Sequence, residues 1–317
     1  MTPTPRAWLP VVMNNFPPIF GTSYYVKNPD YNTLYSLGCA QANAAPGVDI
    51  VAVLDFGEPA YVGTTYGAYI WDAPNYTFKS TSNISQSVEG FISGFYVCSQ
   101  TGTHLTVAVG VNNQGSATTN AHGVAWAQMI NNLNTWIVTP PSYGSRVSAR
   151  GGMDIEQTPP FGTAAATRAW VDGYSAAYRP PSLYYNFGSC DGCPYVAPCP
   201  TCQLAQDWSV NDVWYVTYGT VANYPLPDIY NSTNAAQWYQ MSLYGYTNHG
   251  GSMVFWGSMT EYGACQQRDH CAGINNMPST GYVELYNALN ADPKTAQTLK
   301  WSTDINWQGE PVIYPNP

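Results

Sequence analysis

Charge is what this chain has least of. Only 9% of its 317 residues are Asp, Glu, Lys or Arg, against about a quarter in soluble domains. The 10 Lys and Arg form no stripe, and the formal net charge is −9, so a nucleic-acid partner is not expected. No run of about 18 apolar residues occurs, which excludes a helical membrane span. "MTPTPRAWLPVVMNNFPPIF" has prolines where a secretory signal needs an apolar run. Met1 therefore reads as a start placed on a mature or trimmed chain, and "TPTPR" as the stub of a Thr/Pro-rich linker. Motifs are missing as well. No G-x-G-x-x-G follows the first strand, and no Walker, G-x-S-x-G, H-x-H or H-E-x-x-H pattern appears. No cofactor is called for.

What replaces charge is neutral polarity and rings. The chain carries 26 Tyr and 11 Trp, and its polar surface must come from amides and hydroxyls. Such a surface suits sugars, whose apolar faces stack on rings while their hydroxyls bond to neutral partners. Each of these rings can equally be core.

Eight cysteines come as Cys39, Cys98, "CDGCPYVAPCPTC" (Cys190, Cys193, Cys199, Cys202) and "CQQRDHC" (Cys265, Cys271). An even count favours disulfides and an oxidising compartment, hence secretion. A zinc knot at the two C-x2-C pairs is the rival, although their spacing is shorter than in zinc ribbons. Sequons at Asn75, Asn83 and Asn231 are compatible with an extracellular surface.

Residues 1–46 are Pro- and Asn-rich and read as an extended arm; 292–317 read as a tail packed on the main domain. Between them, strands are expected at 48–57, 68–71, 104–113, 146–156, 182–189, 212–219, 226–231 and 252–261. Helices are expected near 82–100, 122–136, 163–178 (with Thr163 as cap), 234–247 and 280–290. Eight strands alternating with helices or long loops call for a parallel sheet, and 47–291 has the length of a (β/α)8 barrel. An open doubly wound sheet is the alternative.

In that frame the few acids are placed pointedly. Asp55 ends the first expected strand, Asp154 and Glu156 the fourth, and Glu261 the eighth, with Asp228 in the seventh. Strand side chains alternate, so Asp154 and Glu156 share a face while Met153 and Ile155 take the other. Barrel strands deliver their last inward residues to the C-terminal mouth, where catalytic groups gather. Two close carboxylates cannot both ionise freely, which provides an acid and a base at neutral pH. Glycoside hydrolysis needs that division. Glu156 is the expected proton donor, with Asp154 and Asp55 as its partners. Glu261, Asp228, Asn186, Tyr218, Trp256 and Trp71 are candidate substrate contacts, and Trp126 and Trp214 further platforms. The plainer alternatives are a helix cap, a pairing of the D-x-E with Arg150 or Arg168, and a metal site using His249 or His270.

With "GGMDIE", a helix, "SLYYNFGS" and "DVWYVTYG", the chain resembles the family 25 glycoside hydrolases, lysozyme-like barrels. The resemblance spans roughly 47–220. It implies Glu156 as catalytic acid at the fourth strand, Asp154 as its partner, and Asp55 as a first-strand cleft carboxylate. "VLDFGEP" departs from that family's G-x-D-x-S, and "LPDIYN" and "WGSMTE" have no counterpart in it. The expectation is a secreted glycosidase acting on a polysaccharide, peptidoglycan or another β-linked glycan. The alternative is a non-catalytic carbohydrate-binding or surface-structural barrel.

Overall fold

The computed structural model describes residues 16–71, 77–140, 142–312 and 314. The "TPTPR" stub and the Asn75 sequon lie outside them. Eight parallel strands form one sheet in the order β10 (Gly257–Thr260), β11 (Trp301–Trp307), β1 (Gly21–Tyr25), β2 (Ile50–Asp55), β6 (Leu105–Asn112), β7 (Val147–Asp154), β8 (Tyr184–Asn186) and β9 (Asn223–Pro225). The remaining seam is closed by backbone. Trp256 N donates to Pro225 O (3.0 Å), Met259 N to Pro227 O (2.9 Å) and Ile229 N to Met259 O (2.9 Å). With the parallel bridge Asp228–Met259, the sheet is a ring, and the fold is a (β/α)8 barrel.

Alternation sorts the side chains. Outward Ile50, Ala52, Leu54, Val107 and Val109 meet the helix layer, while inward Val51, Val53, Ala108, Tyr185, Phe187, Leu226, Met259, Trp301 and Ile305 fill the barrel. Phe187 fits because two neighbours lack side chains: a Cβ on Gly110 or Gly152 would stand 2.4 or 2.7 Å from its ring. Helix α3 (Asn120–Val138) is tied to the sheet by Trp126, whose Nε1 donates to Val109 O at 3.0 Å. Helix α4 (Ala164–Ala177) starts on Thr163, whose hydroxyl accepts from Ala166 N, the capping role expected of it. Helices α1 (Tyr31–Ala44) and α2 (Thr81–Cys98) pack backbone to backbone at Gly38 and are joined by the Cys39–Cys98 disulfide.

The number of barrel strands is as expected, but the membership differs. Residues 21–25 and 301–307, which read as arm and tail in the sequence, form adjacent staves, so the barrel runs beyond 47–291 at both ends. Their outward faces are polar. Ser302 bonds to Pro278 O, and Asp304 accepts from Tyr262 N and Gly263 N at the start of α7 (Tyr262–Arg268). A buried strand with hydrogen-bonded polar residues on its outer face does not read as apolar.

Residues 68–71 fall at β4 (Thr65–Ile70), which pairs antiparallel with β3 (Glu58–Val62) and β5 (Thr77–Ser80) in a small separate sheet. Residues 212–219, expected as a strand, lie in helix α5 (Val210–Tyr218). A capping box of Ser209 and Asp212 starts it, and Val210, Val213, Val216 and Thr217 are buried at helical spacing. Tertiary burial overrides the β-propensity of "VWYVTY". The expected strand at 226–231 continues β9, which begins three residues earlier.

Candidate active site

The eight staves end in a ring of inward residues. In sheet order from β1 these are Tyr25, Asp55, Asn112, Asp154, Ser189, Asp228, Glu261 and Trp307, with Glu156 one inward step above Asp154. Asp55 follows Val51 and Val53 on the same face, and Asp154 follows Gly152. The D-x-E pair points into the mouth, as expected, and it ends the fourth stave. Asp55 ends the second stave, Asp228 lies just beyond the sixth, and Glu261 follows the seventh. The first stave ends in Tyr25, so the implied first-strand carboxylate has no counterpart there.

Glu156 is built in firmly. Ser189 donates to it twice, from N to Oε1 (3.0 Å) and from Oγ to Oε2 (2.8 Å). Asn113 clamps its backbone, accepting from Glu156 N at 3.1 Å and donating to Glu156 O at 2.9 Å. Tyr230 Oη lies 3.4 Å from Glu156 Oε1 and 3.3 Å from Asp228 Oδ2. Tyr25 Oη donates to Glu261 Oε1 at 2.8 Å. Asp55 and Asp228 are only 1% exposed and Glu156 6%, whereas Asp154 and Glu261 are half-buried. Asp55 Oδ2, Asp154 Oδ1 and Asp228 Oδ1 have no hydrogen-bond partner.

Burial and one another's charge make these carboxyls hold protons tightly. Burial, then Asp191, push Glu156 up to about 7 against the pull of Ser189. Burial raises Glu261 to about 7 although Tyr25 counters it. Asp55 is raised to about 7 by burial and by Glu261, with the Gly57 amide opposing. Asp154 is raised well above its ordinary range by burial, then by Glu156, Asp55 and Glu261. Asp228 is likewise raised by burial, then by Glu261, Asp154 and Glu156. Groups that interact this closely titrate as a cluster and not singly.

The plainer uses of the D-x-E are not seen. Arg168 pairs with Asp212 at 2.6 Å. Arg150 sits at the other end of the barrel, donating to Pro181 O and Ala149 O. His249 stacks on Trp214 with ring centroids 3.4 Å apart. Among the described residues, no three His, Cys, Asp or Glu side chains are arranged to hold a metal ion.

Of the other expected contacts, Trp71 belongs to the rim: its ring is edge-on to Trp307 at 6.4 Å, and Trp307 lies 4.7 Å from the ring of Tyr25. The rest are corrected. Asn186 faces α5, donating to Thr217 Oγ1 at 2.7 Å. Trp256 precedes β10 and packs on Tyr185 and Tyr224 at the N-terminal end of the barrel. Tyr218 stands edge-on to Tyr224, also at that end. Trp126 is core, and Trp214 lies on the outer helix α5.

Tyr25, Trp307, Asn113 and Ser189 were not anticipated. The first two lie on the misassigned staves. Asn113 directly follows β6 and Ser189 lies three residues beyond β8; each is the last residue of an expected strand, 104–113 and 182–189, which is the available signal. All eight cysteines are paired, as Cys39–Cys98, Cys190–Cys193, Cys199–Cys202 and Cys265–Cys271, which leaves no thiolates for zinc. No helix among the described residues is long and apolar enough to cross a membrane.

Fold and site together define a class: a closed (β/α)8 barrel whose mouth is ringed with carboxylates. No family model matches the chain, and no curated protein matches it. Among solved structures it is similar to the endo-β-1,4-mannanase from Thermotoga petrophila, at 9% identity and a TM-score of 0.40, over 91% of this chain and 67% of that one. The barrel assignment rests on the strand pairing itself.

Proposed function

We propose that this protein is a secreted glycoside hydrolase using Glu156 as its proton donor. The observation that supports this most is Glu156 itself: locked by Ser189 and Asn113 at the mouth of the barrel, and raised to about 7. A carboxyl with that affinity can be protonated in the resting site and give its proton up in the transition state. Protonated Glu156 would donate to the glycosidic oxygen as the C–O bond breaks, leaving oxocarbenium character on the sugar.

Glu261 is the second carboxylate in this reading. It follows the seventh stave and Glu156 the fourth, so they stand nearly opposite in a ring of eight. The Tyr25 hydroxyl stabilises its ionised form. It would either attack the anomeric carbon or take a proton from the attacking water; the gap between the two carboxyls, about 5 Å or about 6.5–9.5 Å, decides which. Asp154 would orient substrate beside Glu156. The rim rings Trp71, Trp307 and Tyr25 would stack on sugar faces. Four disulfides support an oxidising, extracellular setting. The family 25 resemblance suggests peptidoglycan, and the charge of the mouth is a separate guide to the substrate.

A panel of β-linked glycans incubated with wild type, Glu156→Gln and Glu261→Gln tests this. Loss of about 10²–10⁴-fold in kcat is expected for Glu156→Gln. Full turnover by that variant would remove the mechanism. A folded wild type that binds glycans saturably but cleaves none would favour the non-catalytic barrel, a reading supported by the depth at which Asp55 and Asp228 lie.

A further inference from the structure

The mouth gathers Asp55, Asp154, Glu156, Asp228 and Glu261, and among the described residues no Lys or Arg is paired with any of them. The cations nearest the rim are occupied elsewhere. Arg268 lies over the Trp307 ring and pairs with Glu310 at 2.8 Å, and Lys27 pairs with the same carboxylate at 2.9 Å. Acid clusters alone prove nothing, but two of these acids are 99% buried and each keeps one oxygen without a partner. Their stave positions put both side chains on the inner face of the barrel, where each feels the charge of Glu261.

Burying a carboxylate oxygen without a donor is costly, and the site repeats that cost at Asp55 and Asp228. A ligand that brings its own N–H donors and positive charge would relieve it. Among the described residues no three such side chains are grouped to hold a metal ion; the acids stand on different staves around the ring, which suits a cation whose charge is carried on separate groups. Tyr25, Trp307 and Trp71 form an aromatic arc on the same rim, and rings at a rim suit the apolar faces of pyranoses.

We infer that the ligand of this mouth is a cationic amino sugar, an oligosaccharide with free 2-ammonium groups, rather than a neutral or N-acetylated glycan. The inference rests on the glycosidase reading for its site but not for its test. Half-buried Asp154 and Glu261 meet the ligand first, and an ammonium group reaching inward would approach the buried, unpartnered oxygens of Asp228 and Asp55. Each ammonium exchanges water for carboxylate, a charge-assisted bond about twice as strong as a neutral one.

The test is calorimetric binding to folded Glu156→Gln at about pH 7, in two buffers of different ionisation enthalpy so that protons the acids release on meeting an ammonium are counted, with glucosamine hexamer, N-acetylglucosamine hexamer, mannohexaose and a lysine hexamer. Glucosamine hexamer should bind at least about tenfold tighter than either uncharged hexamer. The preference should shrink several-fold between low and about 0.3 M salt, and again in Asp228→Asn or Asp55→Asn. Equal or tighter binding of an uncharged hexamer overturns the inference, as does tighter binding of the lysine hexamer, which would assign the mouth to a basic peptide. Wild-type hydrolysis is scored separately. Cleavage of neutral glycans without a charge preference keeps the glycosidase and sinks the amino sugar. Charge-selective binding without any cleavage does the reverse.

Discussion

Replacing Asp55 by Asn should stabilise the protein at pH 8 and leave it almost unchanged at pH 4. Asp55 is 1% exposed, its Oδ1 accepts from Gly57 N at 2.8 Å, and its Oδ2 has no partner. Burial first, and Glu261 second, lift it from 3.8 to about 7 in the folded protein. A raised folded value means that the native state binds the proton more tightly than the unfolded chain. The stability this confers is fully present below about pH 4 and is lost as pH rises through about 7. Above that, both states are ionised and the folded state carries the whole difference. About three pH units at ~1.4 kcal/mol each come to about 4 kcal/mol. Against a total of about 5–15 kcal/mol, that is a large share.

Asn keeps the shape and the acceptor for Gly57 N without the charge. Urea unfolding followed by Trp fluorescence at pH 4, 6 and 8 measures the effect. The two proteins should coincide at pH 4 and separate steadily toward pH 8, with the variant the more stable. Parallel curves, or a variant weaker at pH 8, would refute the claim that this carboxyl is destabilised by its own ionisation.

Cleavage, once a substrate is found, should decline above about pH 7 as Glu156 loses the proton it must donate; a rate that keeps rising to pH 9 contradicts this assignment. Removing the Cys39–Cys98 bridge with serines frees a loop closed over 59 residues, which should cost about 4 kcal/mol in thermal or urea unfolding. Breaking Cys190–Cys193, closed over three residues, should cost far less. Gly38→Ala would place a Cβ 2.0 Å from Phe91 O, forcing α1 off α2. A loss of about 2 kcal/mol or more is expected, read as a lowered melting temperature. Thr163→Ala removes the cap on α4 and should cost about 1 kcal/mol.

The sequence is most readable where a strand is apolar on both faces. "VDIVAVLDFG" and "HLTVAVGVNN" declare β2 and β6, and the position of Asp154 and Glu156 at a strand end leads directly to the mouth. It is least readable where burial is polar. β11 conceals Asp304 behind the start of α7 and Asn306 beside Tyr314, so "WSTDINW" resembles a surface segment. α5 fails in the opposite direction, since its rings and β-branched residues are strand formers held helical by Ser209, Asp212 and one buried face. The site inherits these errors. Trp256 and Tyr218 looked like platforms because strand ends were misjudged, and Tyr25 and Trp307 were overlooked because their staves were. The direction a side chain takes is fixed by register, and register depends on knowing every neighbour.

The pairing of β1 with β11 sets Gly21 beside Thr303 and Tyr25 beside Trp307. During synthesis, the first stave has no partner on that flank until residue 307 has emerged. At about 5–20 residues per second, that wait is on the order of 15–60 s. For that interval one edge of Gly21–Tyr25 is open to any passing strand, so a nascent chain stalled short of residue 301 would be a natural client for a chaperone.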